Sequence, residues 1–187
     1  MRNQKVAARV CIVLPTYNEA ANIGTLIPDI FRQEEKISPH ELFVLVVDDP
    51  SPDGTAKVTT DLMSRFSNLR LISGDKNGLG DAYKRGFAYA TAELKADLIF
   101  EMDADLQHDP TMIPLFVYLT RFDFDVIIGS RFAPGGSTPN FSLKRKTISL
   151  FGNWLIRFFG GLPRIRDCTS GFRCIRRTSL ERCDLSF

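Results

Sequence analysis

Two carboxylates one residue apart, Asp103 and Asp105, sit in the stretch "FEMDADLQHDP" from Phe100 to Pro110. Like charges that close repel each other unless a cation neutralises them. In an extended segment alternate side chains point the same way, so Asp103, Asp105 and Gln107 converge. Hard oxygen ligands of this kind suit Mg2+ or Mn2+, with substrate phosphates completing the shell. The competing reading is a solvated acidic turn, and the position at the end of a buried strand weighs against it. His108 suits a surface or supporting position at least as well as a direct one.

Three other stretches invite a chemical reading. "DDPSPDGT" (48–55) is composed of turn formers, and Asp53 or Thr55 can cap a following helix. Carboxylates at a strand end can equally accept hydrogen bonds from a nucleobase N–H or from ribose hydroxyls. "GLGDAY" (78–83) is one glycine short of the dinucleotide fingerprint and does not follow the first strand, and no Walker A lysine motif exists, so both readings are rejected. "SLKRKTISLFGNWLIRFFGGL" (142–162) joins a basic cluster to an aromatic segment. Phe151, Trp154, Leu155, Phe158 and Phe159 lie at helical spacings. For most of them the expectation is a helix packed on the core; the alternative is an amphipathic helix at a membrane surface.

The elements that must position these residues alternate in type. "RVCIVL" (9–14), "LFVLVV" (42–47), "LRLIS" (69–73), "DLIFEM" (97–102) and "DVIIG" (125–129) read as strands. They are continuous apolar runs, as strands covered on both faces should be. Stretches near 20–36, 55–67, 79–94 and 110–121 read as helices. In the third, Ala82, Gly86 and Ala90 recur every four residues, which suits close packing on a sheet. The expected fold class is α/β, with a mostly parallel sheet flanked by helices. In such open sheets ligands bind beyond the carboxyl ends of the strands. That edge collects "PTYNE" (15–19), "DDPSPDGT", "DADLQ" (103–107) and "GSR" (129–131), which supports a single site.

The 187 residues suit one domain spanning 1–187, and 44% hydrophobic content provides a sizeable core. A Gly/Pro-rich stretch, "APGGSTPN" (133–140), separates an acidic part from a basic one. Residues 131–187 hold 11 Lys/Arg against 3 Asp/Glu, while residues 1–130 hold 13 against 19. The basic end therefore expects an anionic partner. Nucleic acid fits it less well, because the aromatics cluster with aliphatics instead of interleaving with the basic residues. None of Cys11, Cys168, Cys174 and Cys183 forms a C-x-x-C pair, which argues against zinc. The start carries no signal peptide, so reduced thiols in a cytoplasmic protein are expected. No apolar run approaches a membrane span. The ending at "RCDLSF" is indistinct, so truncation at the C-terminus is an open expectation.

The ordered set "PTYNE", "VVDDPSPDGT", "NGLGDAYKRGF", "MDADLQHDP", "IGSRF", "LKRKTIS" and "RDCTSGFR" resembles the family-2 glycosyltransferases, over residues 9 to 178. Within them the chain is most similar to dolichyl-phosphate mannose synthases and related polyprenyl-phosphate glycosyltransferases. The resemblance implies a GT-A fold, a nucleotide-sugar donor, a divalent cation, Mg2+ or Mn2+, and a dolichyl or polyprenyl phosphate acceptor. It implies inverting transfer of a hexose, mannose from GDP-mannose, by an enzyme peripheral to the cytoplasmic face of a membrane. A UDP-glucose-dependent enzyme and a non-catalytic nucleotide or lipid-phosphate binding module are the alternatives. By position, Pro15, Tyr17, Glu19, Val47 and Asp49 match nucleotide contacts. Asp103, Ala104, Asp105 and Gln107 match the metal and diphosphate site. Arg131, Arg145 and Ser149 match the acceptor-phosphate site, and Asp105 and Arg131 match catalytic positions. Pro50 departs from the pattern, since relatives usually carry Asp, Asn or Gly there; it removes an N–H and fixes φ.

Overall fold

The computed structural model describes residues 7–132, 143–161, 165 and 167–183, with 143–150 described by their backbone. Six strands form one sheet: β1 (Arg9–Thr16), β2 (Glu41–Asp48), β3 (Leu69–Ser73), β4 (Leu98–Glu101), β5 (Val126–Ile128) and β6 (Arg173–Arg176). The helices are α1 (Ala20–Phe31), α2 (Thr55–Met63), α3 (Leu79–Ala92), α4 (Ile113–Leu119), α5 (Leu143–Phe159) and the short α6 (Arg177–Leu180). The chain divides into two compact units, Ile128–Arg173 and the remainder.

The strand order is β3-β2-β1-β4-β6-β5, and β1 pairs in parallel with both β2 and β4. The chain thus builds outward on one side of β1, then crosses to its other side. That reversal opens a crevice beyond the carboxyl ends of β1 and β4. β6 was not expected, because its "RCIR" offers only two apolar residues between arginines. It runs antiparallel to β5: Gly129 N–H bonds Phe172 C=O at one end, and Arg176 N–H bonds Asp125 C=O at the other.

The continuous apolar runs are covered on both faces, as their pattern requires. Cys11, Val13, Leu45, Val47 and Ile99 pack with Ala82, Phe87 and Ala90 of α3. The alternate residues Val10, Ile12 and Leu14 are also fully buried, and Phe100 meets Phe116 of α4 with ring centroids 5.7 Å apart. The expected close approach of α3 is present at Gly86, where a Cβ would lie 2.4 Å from Cγ1 of Val13 and 3.1 Å from Cγ2 of Val47. Burial pushes the Cys11 thiol up, and that of Cys174 to about 12. Both behave as small core residues.

Three helices are shorter than their periodicity suggests, α2 stopping at Met63 instead of 67. α1 ends at Phe31, and a separate 3-10 turn, Glu35–Ile37, follows it. The 110–121 segment becomes a 3-10 turn at Pro110–Met112, α4, and another turn at Thr120–Phe122. Pro110 and Pro114 supply no backbone N–H, which favours interruption in the first turns.

Candidate functional site

The loops after β1 and β2 are tied together by side chains of the second. Asn18 N–H donates to Oγ of Ser51 at 3.0 Å, Glu19 N–H to Oγ1 of Thr55 at 3.0 Å, and Ala20 N–H to Oδ2 of Asp53 at 2.9 Å. These N–H groups lie at the start of α1, where no intrahelical carbonyl can reach them. The capping reading of "DDPSPDGT" therefore holds in altered form: Asp53 accepts an N–H at the start of α2, and Asp53 and Thr55 also satisfy N–H groups at the start of α1. Oδ1 of Asp53 accepts from the Thr55 hydroxyl at 2.6 Å and from its N–H at 3.0 Å. The Thr55 hydroxyl, then the Ala20 N–H, hold the Asp53 carboxyl below the usual carboxylate range. Gly54 takes φ +91°, a conformation that favours glycine. Buried Asp48 accepts from the hydroxyls of Thr16 at 2.9 Å and Ser51 at 2.6 Å, so the loop closes on it with Pro50 in place.

These loops wall a cleft of about 290 Å3 at the crevice between β1 and β4. Pro15, Tyr17, Glu19, Asp49, Asp103, Ala104 and Asp105, singled out from the sequence, all line it. Val47 does not; it is fully buried beneath, where α3 crosses the sheet. Gln107 does not either. Leu106 takes φ +61°, which ends the extended path on which alternation was expected. Gln107 and His108 line a neighbouring depression with Thr25 and Leu26.

Each acid of the cleft has its own setting. Asp103 accepts from the Tyr83 hydroxyl at 3.1 Å and faces Nε2 of His108 at 3.3 Å. Asp105 is exposed and accepts the Gln107 N–H at 3.1 Å. Glu19 accepts from the Asn22 amide at 2.6 Å, and Asp49 is paired with Arg85. Against these acids the basic lining residue is Lys76, which no sequence motif flagged. Gly78 and Leu79, at the start of α3, complete that wall.

In the second unit, Arg131 is gripped by Asp167. Its Nε donates to Oδ2 and its Nη2 to Oδ1, both at 2.8 Å, and Nη2 also reaches the Thr169 hydroxyl at 2.8 Å. Burial would raise the Asp167 carboxyl, but the hydrogen bonds and charge of Arg131 outweigh it and hold it below the usual range. The side chains of Arg145 and Ser149 lie outside the described residues, although both positions belong to α5.

The family model for glycosyl transferase family 2 matches residues 11–184. The chain belongs to glycosyl transferase family 2. It is 36% identical over 182 residues to a polyprenol monophosphomannose synthase of Mycolicibacterium smegmatis, covering 95% of this chain and 65% of the relative. It is 34% identical over 181 residues to a dolichol-phosphate mannosyltransferase of Pyrococcus furiosus, covering 95% of this chain and 49% of that one. The chain thus spans between about half and two thirds of the length of these curated relatives. Its fold is that of the mannosyl-3-phosphoglycerate synthase of Rubrobacter xylanophilus, at a TM-score of 0.67 and 22% identity, covering 91% of this chain and 53% of that one. A mannosyltransferase from Pyrobaculum calidifontis, solved with GDP-Man and Mn2+, matches at 0.64 and 20% identity, covering 95% and 47%.

Whether this family 2 cleft suits a divalent cation depends on its donors. Among the described residues no group of three His, Cys, Asp or Glu is gathered to hold a metal. On the loop after β4 the donors are the carboxylates of Asp103 and Asp105. That set fits Mg2+ or Mn2+, which keep waters and take substrate phosphates where protein ligands are few. It does not fit a closed structural zinc site.

The aromatic row of α5 corrects the expectation of a core helix. Phe151, Trp154, Phe158 and Phe159 are all exposed, Trp154 by 55% and Phe158 by 69%. Phe151, Trp154 and Phe158 stack in a row, with centroids 5.9 Å apart for Phe151–Trp154 and 5.7 Å for Trp154–Phe158, and Phe159 meets Phe158 edge-on. Among the described residues no helix is long and apolar enough to cross a membrane.

Proposed function

We propose that this protein transfers mannose, with inversion, from GDP-mannose to a polyprenyl or dolichyl phosphate. The observation that carries the reading is the gathering of Tyr17, Glu19, Asp49, Asp103 and Asp105 around one cleft at the sheet's switch point. Identity of 34–36% to two polyprenyl-phosphate mannosyltransferases over 95% of the chain supports the choice of sugar and acceptor.

Asp49 and Tyr17 would receive the nucleoside end of the donor, and Lys76 and the Asp103–Asp105 edge its diphosphate. A divalent cation held by Asp103 and Asp105 would supply Lewis-acid neutralisation of the departing diphosphate. The acceptor needs no general base. A phosphomonoester has a second pKa of about 6 and is already largely dianionic at neutral pH. What it does need is separate positive charge, because unit charges ~4 Å apart repel by ~4 kcal/mol at an effective dielectric near 20. Arg131 and Arg145 are proposed to supply it, with the Ser149 hydroxyl adding one hydrogen-bond donor. Asp167 fixes the guanidinium plane of Arg131 in advance, so less side-chain freedom is lost when phosphate arrives; it also offsets part of the Arg131 charge, which leaves Arg145 as the larger source of net positive charge in this proposal.

The site of action in this proposal is the cytoplasmic face of a membrane, reached peripherally. The exposed aromatic row of α5 follows Lys144, Arg145 and Lys146 in sequence, and an anionic leaflet attracts such basic clusters.

The test is a panel of nucleotide sugars with a short polyprenyl phosphate, with and without chelator. Mannolipid formed from GDP-mannose and lost on chelation is the expected result. Glucolipid from UDP-glucose would replace the donor assignment. Nucleotide binding with no product from any donor would reduce the protein to a binding module.

A further inference from the structure

Arg85 projects from the middle of α3 toward Asp49 of the cleft wall, toward Asp81 one turn earlier on the same helix, and toward Asp75 in the β3–α3 loop. Its Nη2 donates to Oδ1 of Asp49, and its Nη1 to Oδ2 of Asp81 and, at 3.3 Å, to the Asp75 carbonyl. The guanidinium passes so close to Gly74 that a Cβ there would lie 2.5 Å from Nε and 2.8 Å from Cζ. Arg85 does not itself line the cleft, whereas Asp49, Lys76 and Gly78 do. Among the described residues the second carboxylate oxygen of Asp49 has no hydrogen-bond partner.

The side chain of Asp49 is only 8% exposed and shares the cleft with three more carboxylates. A buried charge without compensation is costly, and its neighbours here add repulsion. Arg85 supplies the opposite charge from behind. It also commits one oxygen of Asp49 and leaves the other for a ligand's N–H or O–H. The same fork reaches the 74–78 segment, so the acceptor on the β2 loop and the ammonium on the β3–α3 loop are located by one side chain. A lysine has the charge but cannot span these partners at once.

We infer that Arg85 is a positioning residue for donor binding, acting through Asp49 without touching the donor. The inference rests on the reading of the cleft as a nucleotide site. Anchoring α3 to the sheet is a weaker explanation of Arg85, because Ala82, Gly86 and Ala90 already pack the helix against it.

The test is calorimetric titration of the full chain with GDP and with UDP in the presence of Mn2+. The variants are Arg85→Gln, Arg85→Lys, Asp49→Asn and the double variants. Loss of a charged hydrogen bond predicts about tenfold weaker nucleotide binding for Arg85→Gln, and less for Arg85→Lys. In the Asp49→Asn background both Arg85 substitutions should cost at most about twofold, and the KM for lipid phosphate should not move. Equal losses in the two backgrounds, or binding within twofold of wild type for Arg85→Gln, would overturn the inference. Should Arg85→Gln fail to fold, Arg85→Lys is read by the same comparison of backgrounds. Wild-type protein that binds neither nucleotide removes the cleft reading and this inference with it, an outcome distinct from the others.

Discussion

The ammonium of Lys76 lies 3.2 Å from the centroid of the Tyr17 ring, at the wall of the cleft. Such a contact is worth about 0.5–2 kcal/mol, depending on how far the pair is desolvated. A nucleoside diphosphate would claim both members, the ring through its base and the ammonium through its phosphates. Lys76→Ala should weaken GDP binding about tenfold and guanosine binding hardly at all, while Tyr17→Phe should leave both near wild type. Equal losses for GDP and guanosine in Lys76→Ala would place the lysine away from the phosphates.

Asp103 and Asp105 should separate on substitution. Asp105 is exposed and, among the described residues, held by its own loop, whereas Asp103 is fixed by Tyr83 and His108. Asp105→Ala should lower transfer by about a hundredfold or more, the scale of losing several kcal/mol of charge stabilisation. It should also remove the Mn2+ dependence of nucleotide binding without lowering the melting temperature. Asp103→Asn should retain partial activity. Full activity of Asp105→Ala in excess chelator would sink the cation role.

Gly86→Ala tests the contact between α3 and the sheet. Helix propensity favours alanine by about 1 kcal/mol. Against this, the new methyl would lie 2.4 Å from Val13, and overpacking of this kind costs about 1–3 kcal/mol. The steric term should win, with a lower urea midpoint. Gly24→Ala in α1, where nothing lies within 4 Å of the new atom, should stabilise. The opposite order would mean that α3 shifts freely.

Acid should loosen the second unit through Asp167. Its folded carboxyl titrates below the usual range, so the stability it contributes is complete above about pH 4, the unfolded value. That contribution drains as pH falls through the folded value. The difference in urea midpoint between wild type and Asp167→Asn should therefore be constant from pH 7 to 5 and shrink below pH 4. A difference that persists at pH 2 would contradict the ion-pair origin.

Trp154→Ser with Phe158→Ser should reduce co-sedimentation with anionic vesicles at low salt and leave GDP titration unchanged. These rings are exposed, so their removal creates no cavity. Unchanged sedimentation would move membrane contact elsewhere.

Legibility from sequence followed the kind of interaction involved. Continuous apolar runs announced five strands, because burial on both faces leaves a composition signal. β6 left none: it is two apolar residues between arginines, and it exists only because β4 and β5 flank it. The acids of the cleft were readable, since charge at the end of a buried strand has few structural excuses. Lys76 was not, being an ordinary charged residue in a loop whose partner lies 59 residues away; Asp167 falls inside the quoted "RDCTSGFR" but was given no role, because its partner Arg131 lies 36 residues away. Gln107 shows the limit of alternation as a rule, which one left-handed residue, Leu106, is enough to break.

The binding of Asn18, Glu19 and Ala20 by Ser51, Thr55 and Asp53 also bears on how the protein breathes. Helices capped by their own residues fray one at a time. Here the first turn of α1 cannot loosen without releasing the 51–55 loop, and the loop cannot leave without stripping the helix. Their amides should exchange with solvent as one group, at a common rate that nucleotide slows. The Tyr17 and Asp49 sides of the cleft would then be made, and lost, in a single event.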